Sequence, residues 1–139
     1  VKQILDAKGS QVWSITPNAS VYDALRLMGE KEIGALVVVE AAQLVGVISE
    51  RDYARKVILR GKTSRETSVH EIMTAAVHTT TPEQTVQECM KLMTEQRIRH
   101  LPVLNGGNLI GMISIGDLVK AIIDEQQFII EQLESYITR

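Results

Sequence analysis

The chain has 139 residues, 45% of them hydrophobic, and a formal net charge of −2 at pH 7. This length suits one compact domain, and this charge gives no general attraction to nucleic acid or to an anionic membrane. Cys89 is the single cysteine, so no disulfide forms within the chain, and the first residues lack a charged-then-apolar signal pattern. The apolar runs are far shorter than the ~20 residues of a membrane-spanning helix. These features predict a cytoplasmic protein with no membrane partner.

An internal repeat of constant spacing organises the sequence. Thr16-Pro17 recurs as Thr81-Pro82, and Ser49 to Asp52 recurs as Ser114 to Asp117, each 65 positions later. Because glycine, proline and aspartate keep this register along with the aliphatic residues, coincidence is a poor explanation. We predict a first repeat at 1–60, a linker at 61–68, a second repeat at 69–123 and a C-terminal helical extension at 124–139.

In the first repeat, a short helix is predicted at 1–6. A longer helix follows Thr16-Pro17, with Ser20 and Asp23 as its N-terminal cap. Helical spacing predicts that three of its residues face the core, namely Leu25, Met28 and Gly29.

Two β-branched runs come next, at 35–40 and 44–49, on either side of Ala41-Ala42. This arrangement is typical of a hairpin. The runs are nearly continuously apolar, which indicates strands covered on both faces. A second helix is predicted at about 50–59.

The segment 61–68 is polar and is predicted to be an exposed linker, after which Ser68 and Glu71 cap a short helix ending near Met73. The second repeat then shows the same order of elements. A helix is capped by Thr85 and Glu88, and a hairpin comprises 100–105 and 108–114 around Gly106-Gly107. A final helix runs from after Ser114 to Arg139.

The final helix extends an apolar stripe beyond the repeat. The stripe either packs onto its own domain or contacts a second chain. Its members are Ile122, Ile123, Ile129, Ile130, Leu133 and Ile137.

By its motifs, the chain resembles a tandem pair of CBS domains, often called a Bateman module. The motifs are Val69 to Thr74, the two Thr-Pro pairs, His100 to Val103, and Gly-Xaa-Ile-Ser-Xaa-Xaa-Asp at 46–52 and 111–117. The resemblance covers nearly the whole chain. It implies a mixed α/β (α+β) fold of two pseudosymmetric β-α-β-β-α units packed sheet to sheet, with two clefts between them. Such modules bind adenine nucleotides or related adenosyl compounds in the clefts and commonly form homodimers.

The Ser-Xaa-Xaa-Asp motif has two interpretations. At the start of a helix the serine and the free N–H groups suit a phosphate, and the aspartate suits ribose hydroxyls. The same spacing makes an ordinary capping box. Without the resemblance, capping is the commoner use; with it, we expect both roles for Ser49 with Asp52 and for Ser114 with Asp117.

The resemblance also implies which residues complete each cleft. One cleft would combine Ser49 and Asp52 with Val77, His78, Arg99 and His100. The other would combine Ser114 and Asp117 with Val12, Trp13, Gly34 and Ala35. Because the cations Arg99 and His100 belong to the first cleft, we expect the phosphate-rich ligand there and a less charged adenosyl compound, a dinucleotide or nothing in the second.

Each of these residues also has a structural interpretation. Arg99 and His100 would form a solvated turn with a partly buried histidine, and Trp13 would be part of the core rather than a platform for a base. Cys89, Met28, Met90 and Met93 are expected to be packing residues.

The sequence does not predict an enzyme. The three histidines stand alone, which gives no metal site, and no phosphate-binding glycine loop or nucleophile elbow is present. A basic run along the second helix and linker is read as a solvated face rather than a nucleic-acid site; it comprises Arg51, Arg55, Lys56, Arg60, Lys62 and Arg65.

We therefore predict a regulatory module that senses AMP, ATP or ADP, or else NAD or S-adenosylmethionine, without a catalytic cofactor. Ligand binding would shift the arrangement of the pair and act on a target protein in trans or on a dimer mate. The alternative is a constitutive dimeric scaffold whose clefts have lost ligand sensing.

Overall fold

A computed structural model describes residues 1–9 and 11–138. Ser10 and Arg139 lie outside the described residues, and with them the predicted last residue of the C-terminal helix. The helices are α1 (Lys2–Lys8), α2 (Val21–Lys31), α3 (Glu50–Lys56), α4 (Val69–Ile72), α5 (Val86–Gln96) and α6 (Ile115–Ile137), with a 3₁₀ turn at Ile58–Arg60. The strands are β1 (Ser14–Ile15), β2 (Ala35–Glu40), β3 (Gln43–Ser49), β4 (His100–Asn105) and β5 (Asn108–Ser114). The predicted mixed α/β fold and both hairpins are confirmed.

The repeat is visible in the backbone pairing. Ala35 pairs with Ser49 in the β2–β3 ladder, and His100 pairs with Ser114 in the β4–β5 ladder. Both ladders are antiparallel, and each shifts register at the same place, after Val38 in one and after Val103 in the other. A shared bulge at equivalent positions indicates that the two copies retain one backbone design.

The first strand differs between the copies. In the first copy β1 pairs in parallel with β2, with Ile15 opposite Val38. In the second copy only an isolated bridge from Thr80 to Val103 occupies this position. The hydroxyl of Thr80, which replaces the isoleucine, is buried and lies 3.2 Å from the Cys89 sulfur. This contact provides the hydrogen bond that a buried hydroxyl needs.

Two compact units can be distinguished, and they do not coincide with the sequence repeats. One unit comprises the described residues of Val1–Ser10 together with those of Thr79–Arg139, and the other comprises Gln11–His78. The helix preceding each repeat therefore packs in the unit of the opposite repeat. Leu5 of α1 belongs to the core that contains Leu101 and Ile113, and Ile72 of α4 belongs to the core that contains Leu36 and Ile48.

Two equivalent glycines make this packing close. A Cβ on Gly111 would come within 2.7 Å of a Leu5 methyl carbon, and a Cβ on Gly46 would come within 2.6 Å of the Met73 sulfur. Leu5 lies within α1, and Met73 is the C-cap of the equivalent short helix α4. The absence of a side chain at Gly46 and Gly111 thus allows α4 to pack closely on β3 and α1 to pack closely on β5.

Three sequence predictions need correction. Gly29 is exposed, because it lies about 100° around the helix from the buried Met28. The second helix ends at Lys56 rather than near Leu59, since Val57 turns into the core and a 3₁₀ turn follows. The segment 61–68 is not a fully exposed linker, because Thr67 is buried and its carbonyl accepts a hydrogen bond from the Val21 N–H at 2.8 Å.

Other packing predictions are confirmed. Cys89, Met28 and Met93 are buried, and Leu25 and Met90 are partly buried against the two cores.

Candidate functional site

The Ser–Asp motif forms a complete capping box at the start of α3. The Ser49 N–H donates to Asp52 Oδ2 at 2.9 Å, and the Asp52 N–H donates to Ser49 Oγ at 3.2 Å. The Ser49 hydroxyl also lies 3.0 Å from Asp52 Oδ2. The capping interpretation is therefore correct here, and both side chains support the helix before any ligand binds.

The start of α6 repeats this arrangement. The Ser114 N–H donates to Asp117 Oδ2 at 2.8 Å, and the Asp117 N–H donates to Ser114 Oγ at 3.2 Å. The Ile115 N–H donates to the Arg99 carbonyl at 2.8 Å. Two of the first three helical N–H groups are thus engaged, so an anion at this terminus would depend on nearby cationic side chains as well.

Both aspartates are ion-paired with lysines that the sequence analysis did not assign to the site. Lys8 Nζ lies 2.7 Å from Asp117 Oδ2 and donates to the Met112 carbonyl at 2.8 Å. Lys56 Nζ lies 3.3 Å from Asp52 Oδ1 and donates to the Ile72 carbonyl at 2.9 Å. In each unit one lysine thus joins the motif's aspartate to a backbone carbonyl.

Only one of the two lysine–aspartate ion pairs could have been predicted from the sequence. Lys56 is four residues after Asp52 on one helix, a spacing that indicates an ion pair. Lys8 is 109 residues from Asp117, so no local pattern could have found it.

Electrostatics in the unit that contains α6 favour a neutral His100 beside an ionised Asp117. Burial lowers the pKa of His100 below its usual 6.5, Lys8 and Arg99 lower it further, and Asp117 opposes them. Burial would raise the pKa of Asp117, but the hydrogen bonds from Lys8 and Ser114 outweigh it and lower this pKa below 3.8. The group can accept hydrogen bonds at Asp117 and offers cations at Lys8 and Arg99.

Each sheet brings together residues that the family resemblance assigned to different clefts. His100 pairs with Ser114 in the β4–β5 ladder, and the carbonyl of its neighbour Arg99 accepts from the helix that Ser114 caps. Gly34 and Ala35 lie next to Ser49 in the same way, with the Gly34 carbonyl accepting from the Glu50 N–H at 3.0 Å. The pairing of each motif with residues of the other unit stays a prediction.

The remaining predicted residues lie in the Gln11–His78 unit. Trp13 packs partly buried against the core, and Lys31 Nζ lies 4.2 Å from the centre of its ring. A base stacking on that ring would have to displace Lys31. Val12 and Val77 are partly buried, and His78 is exposed.

Neither a metal centre nor a membrane span is found in the part of the chain that the structure describes. No three His, Cys, Asp or Glu side chains among residues 1–9 and 11–138 are grouped so that they could hold a metal ion. In the same residues, no helix has the length and apolarity needed to cross a bilayer.

The sequence is similar to that of a plant protein over most of its length. The chain is 45% identical over 136 residues to the CBS domain-containing protein CBSX3, mitochondrial, of Arabidopsis thaliana, and the match covers 94% of this chain and 66% of that protein. The matched region is thus slightly less than two thirds of that relative's length.

Solved structures share the fold. A CBS-domain protein from Burkholderia ambifaria MC40-6 superposes with a TM-score of 0.88 at 56% identity, covering 91% of this chain and 95% of that one. The CBS domain pair of protein MJ0100, solved in complex with 5′-methylthioadenosine and S-adenosyl-L-methionine, gives a TM-score of 0.78 at 24% identity, covering 90% and 96% of the two chains.

The family model for the CBS domain matches the chain twice, at residues 1–59 and 69–124. These matches span most of the sequence and reproduce its internal repeat. The chain therefore belongs to the CBS domain family, as a protein with two CBS repeats.

Proposed function

We propose that the chain is a regulatory module that binds an adenine nucleotide or a related adenosyl compound at its Ser–Asp motifs. The observation that carries this proposal is the group at the start of α6, where the Asp117 carboxylate lies 2.7 Å from Lys8. In the same group Ser114 pairs with His100, and the Ile115 N–H donates to the Arg99 carbonyl. A carboxylate suits ribose hydroxyls, and adjacent cations suit phosphate. The adenosyl compounds bound by protein MJ0100 support this ligand class for the fold.

The candidate ligands are AMP, ADP, ATP, NAD and S-adenosylmethionine. We place the phosphate of a nucleotide at Arg99 and His100, as the family resemblance implies, but beside Asp117 rather than beside Asp52. Near Ser49 the corresponding positions are Gly34 and Ala35, which carry no charge and suit a less charged adenosyl compound. The two motifs would therefore differ in ligand preference.

In this proposal the ligand acts by shifting a conformational equilibrium, with no chemical step and no catalytic cofactor. The change would pass to a target protein in trans or to another copy of the chain in a homodimer. The free, buried Cys89 is compatible with a cytosolic setting. The exposed apolar face of α6 favours a second candidate, a constitutive dimeric scaffold.

Isothermal titration of the full chain with AMP, ATP, NAD and S-adenosylmethionine tests the proposal, after native mass spectrometry has shown that no nucleotide co-purified. Asp117→Asn and Asp52→Asn each remove one carboxylate charge at a motif. We expect either change to weaken binding of its ligand by ~1–3 kcal/mol, the value of hydrogen bonds to a charged group.

Glu88→Gln is the matched control. Its carboxylate accepts a hydrogen bond from the Thr85 hydroxyl at 3.1 Å, and its N–H donates to Thr85 Oγ1 at 3.0 Å, so it occupies the same capping position on α5. This variant should have a similar effect on helix capping and no effect on ligand affinity. No saturable binding of any of the four compounds would reject the sensor in favour of the scaffold.

A double-mutant cycle identifies the aspartate that shares a ligand with Arg99. If Asp117 and Arg99 hold the same nucleotide, the losses from Asp117→Asn and Arg99→Ala will not be additive, whereas Asp52→Asn and Arg99→Ala will add. The family resemblance predicts the opposite, coupling between Asp52 and Arg99. Either result fixes the composition of the phosphate-binding site.

A further inference from the structure

The last four turns of α6 lie outside the packed core of their unit. Every described residue from 123 to 138 is exposed. From here on we restrict the term apolar stripe to the exposed apolar residues on one face of this part of the helix, namely Ile129 (49% exposed), Ile130 (47%), Leu133 (57%), Tyr136 (77%) and Ile137 (79%). Five large apolar side chains on one exposed helix face indicate a contact surface.

The stripe lies in a segment of net negative charge. Residues 124–139 contain four carboxylates, Asp124, Glu125, Glu131 and Glu134, and one cation, Arg139 at the end of the sequence. Glu125 is four residues before Ile129, and Glu134 is four residues after Ile130, so these two carboxylates flank the stripe on the helix surface. We therefore expect a surface that covers the stripe to carry positive charge, because charges across an interface are complementary.

The same chain exposes a surface with these properties. Ile58 and Leu59, in the 3₁₀ turn, are 54% and 77% exposed. Arg55, Arg60 and Lys62 are exposed around them. We call these five residues the basic patch. The buried Val57 anchors the turn, and the αL conformation of Gly61 ends it, so the patch has a defined backbone.

We infer that the apolar stripe docks on the basic patch of a second copy of this chain, and that the exchange is reciprocal. In this contact the exposed aliphatic side chains of both surfaces are buried against each other, and this burial supplies the affinity. Glu125 and Glu134 meet Arg55, Arg60 and Lys62, which select the partner and its orientation. Pairing of two α6 helices would instead bring two acidic segments together. The inference concerns assembly and does not depend on the ligand.

Sedimentation velocity of the full chain over a range of concentrations tests the exchange. Wild type should form a closed dimer, and Leu133→Ser should weaken the dimer by about tenfold or more because it removes a central apolar contact. Glu125→Lys with Glu134→Lys should weaken it as well, and so should Arg60→Glu with Lys62→Glu.

The decisive variant combines all four charge reversals. It should dimerise nearly as well as wild type, since opposite charges again face each other across the contact. Arg26→Glu is the matched control, because Arg26 is an exposed cation on α2 outside both surfaces, and it should leave the dimer unchanged.

Three results would overturn the inference. They are a monomer at all concentrations, an open series of larger assemblies, and a dimer that is lost in Leu133→Ser but unaffected by Arg60→Glu with Lys62→Glu. The last result would assign the stripe to pairing between two α6 helices. Nucleotide titration of the same variants reports separately on the proposed function.

Discussion

His100 is the residue whose protonation connects the candidate site to stability. Its neutral imidazole is favoured in the folded chain by burial and by the nearby Lys8 and Arg99 cations, which lower its pKa below 6.5. The unfolded chain therefore binds a proton at a higher pH than the folded chain does. The free energy of unfolding should accordingly fall as the pH is lowered through 6.5 towards the folded pKa.

We predict that His100→Gln makes stability less dependent on pH in this window. Urea unfolding of wild type and variant at pH 5.5, 6.0, 7.0 and 8.0 measures the effect. The lowered pKa of Asp117 acts in a separate range, since its contribution is lost only as the pH falls below 3.8. Equal slopes for wild type and His100→Gln between pH 5.5 and 8 would contradict the prediction.

The two hairpin turns have similar backbone conformations but are formed by different residues. Ala41 and Ala42 have φ of 50° and 62°, and the equivalent Gly106 and Gly107 have φ of 59° and 83°. A two-residue turn with positive φ at both positions matches the twist of the strands and favours glycine. The alanines therefore hold a conformation that costs L-residues roughly 1–2 kcal/mol each.

We predict that Ala41→Gly with Ala42→Gly stabilises the chain by about 1 kcal/mol, because relief of strain exceeds the added flexibility of the unfolded state. Gly106→Ala with Gly107→Ala should destabilise it by about 1–2 kcal/mol. Chemical unfolding of both double variants provides the comparison. Equal effects of the same sign in the two turns would be inconsistent with a shared turn geometry.

Elements with a periodic or repeated pattern could be predicted from the sequence, and elements fixed by distant contacts could not. The register of the repeat located both hairpins, since Ala35 with Ser49 and His100 with Ser114 occupy equivalent positions. The role of Thr67 in the segment 61–68 depends on a hydrogen bond from Val21, far away in sequence. The ion pair of Lys8 with Asp117 could be predicted even less, because only the folded chain brings these two residues together.

At the scale of the whole molecule, the helix that precedes each repeat supports the core of the opposite repeat. We predict that Leu5→Ala, which truncates a buried side chain, costs about 2–5 kcal/mol. Hydrogen exchange should rise in the strands at 100–114 and leave those at 35–49 unchanged. Ile72→Ala is the mirror-image variant and should expose 35–49 instead.

These two variants should therefore give opposite maps of hydrogen exchange. Increased exchange in 35–49 with Leu5→Ala would mean that α1 supports its own repeat, contrary to the packing of Leu5 against Gly111. Global unfolding in either variant would be recognised by a loss of protection in all strands. In that case Leu5→Val and Ile72→Val, which remove less volume, give the same comparison.

The crossed placement of α1 and α4 constrains how the protein can be divided or lose a copy. A cut at 61–68, the apparent join between repeats, would separate Val69 and Ile72 from the core that they complete. The fragment expected to fold alone runs instead from 11 to 78. Deletion of either repeat together with its leading helix would strip the surviving copy of part of its own core. A viable loss of one copy would therefore have to follow the boundaries of the compact units, near residues 10 and 79, rather than those of the repeats.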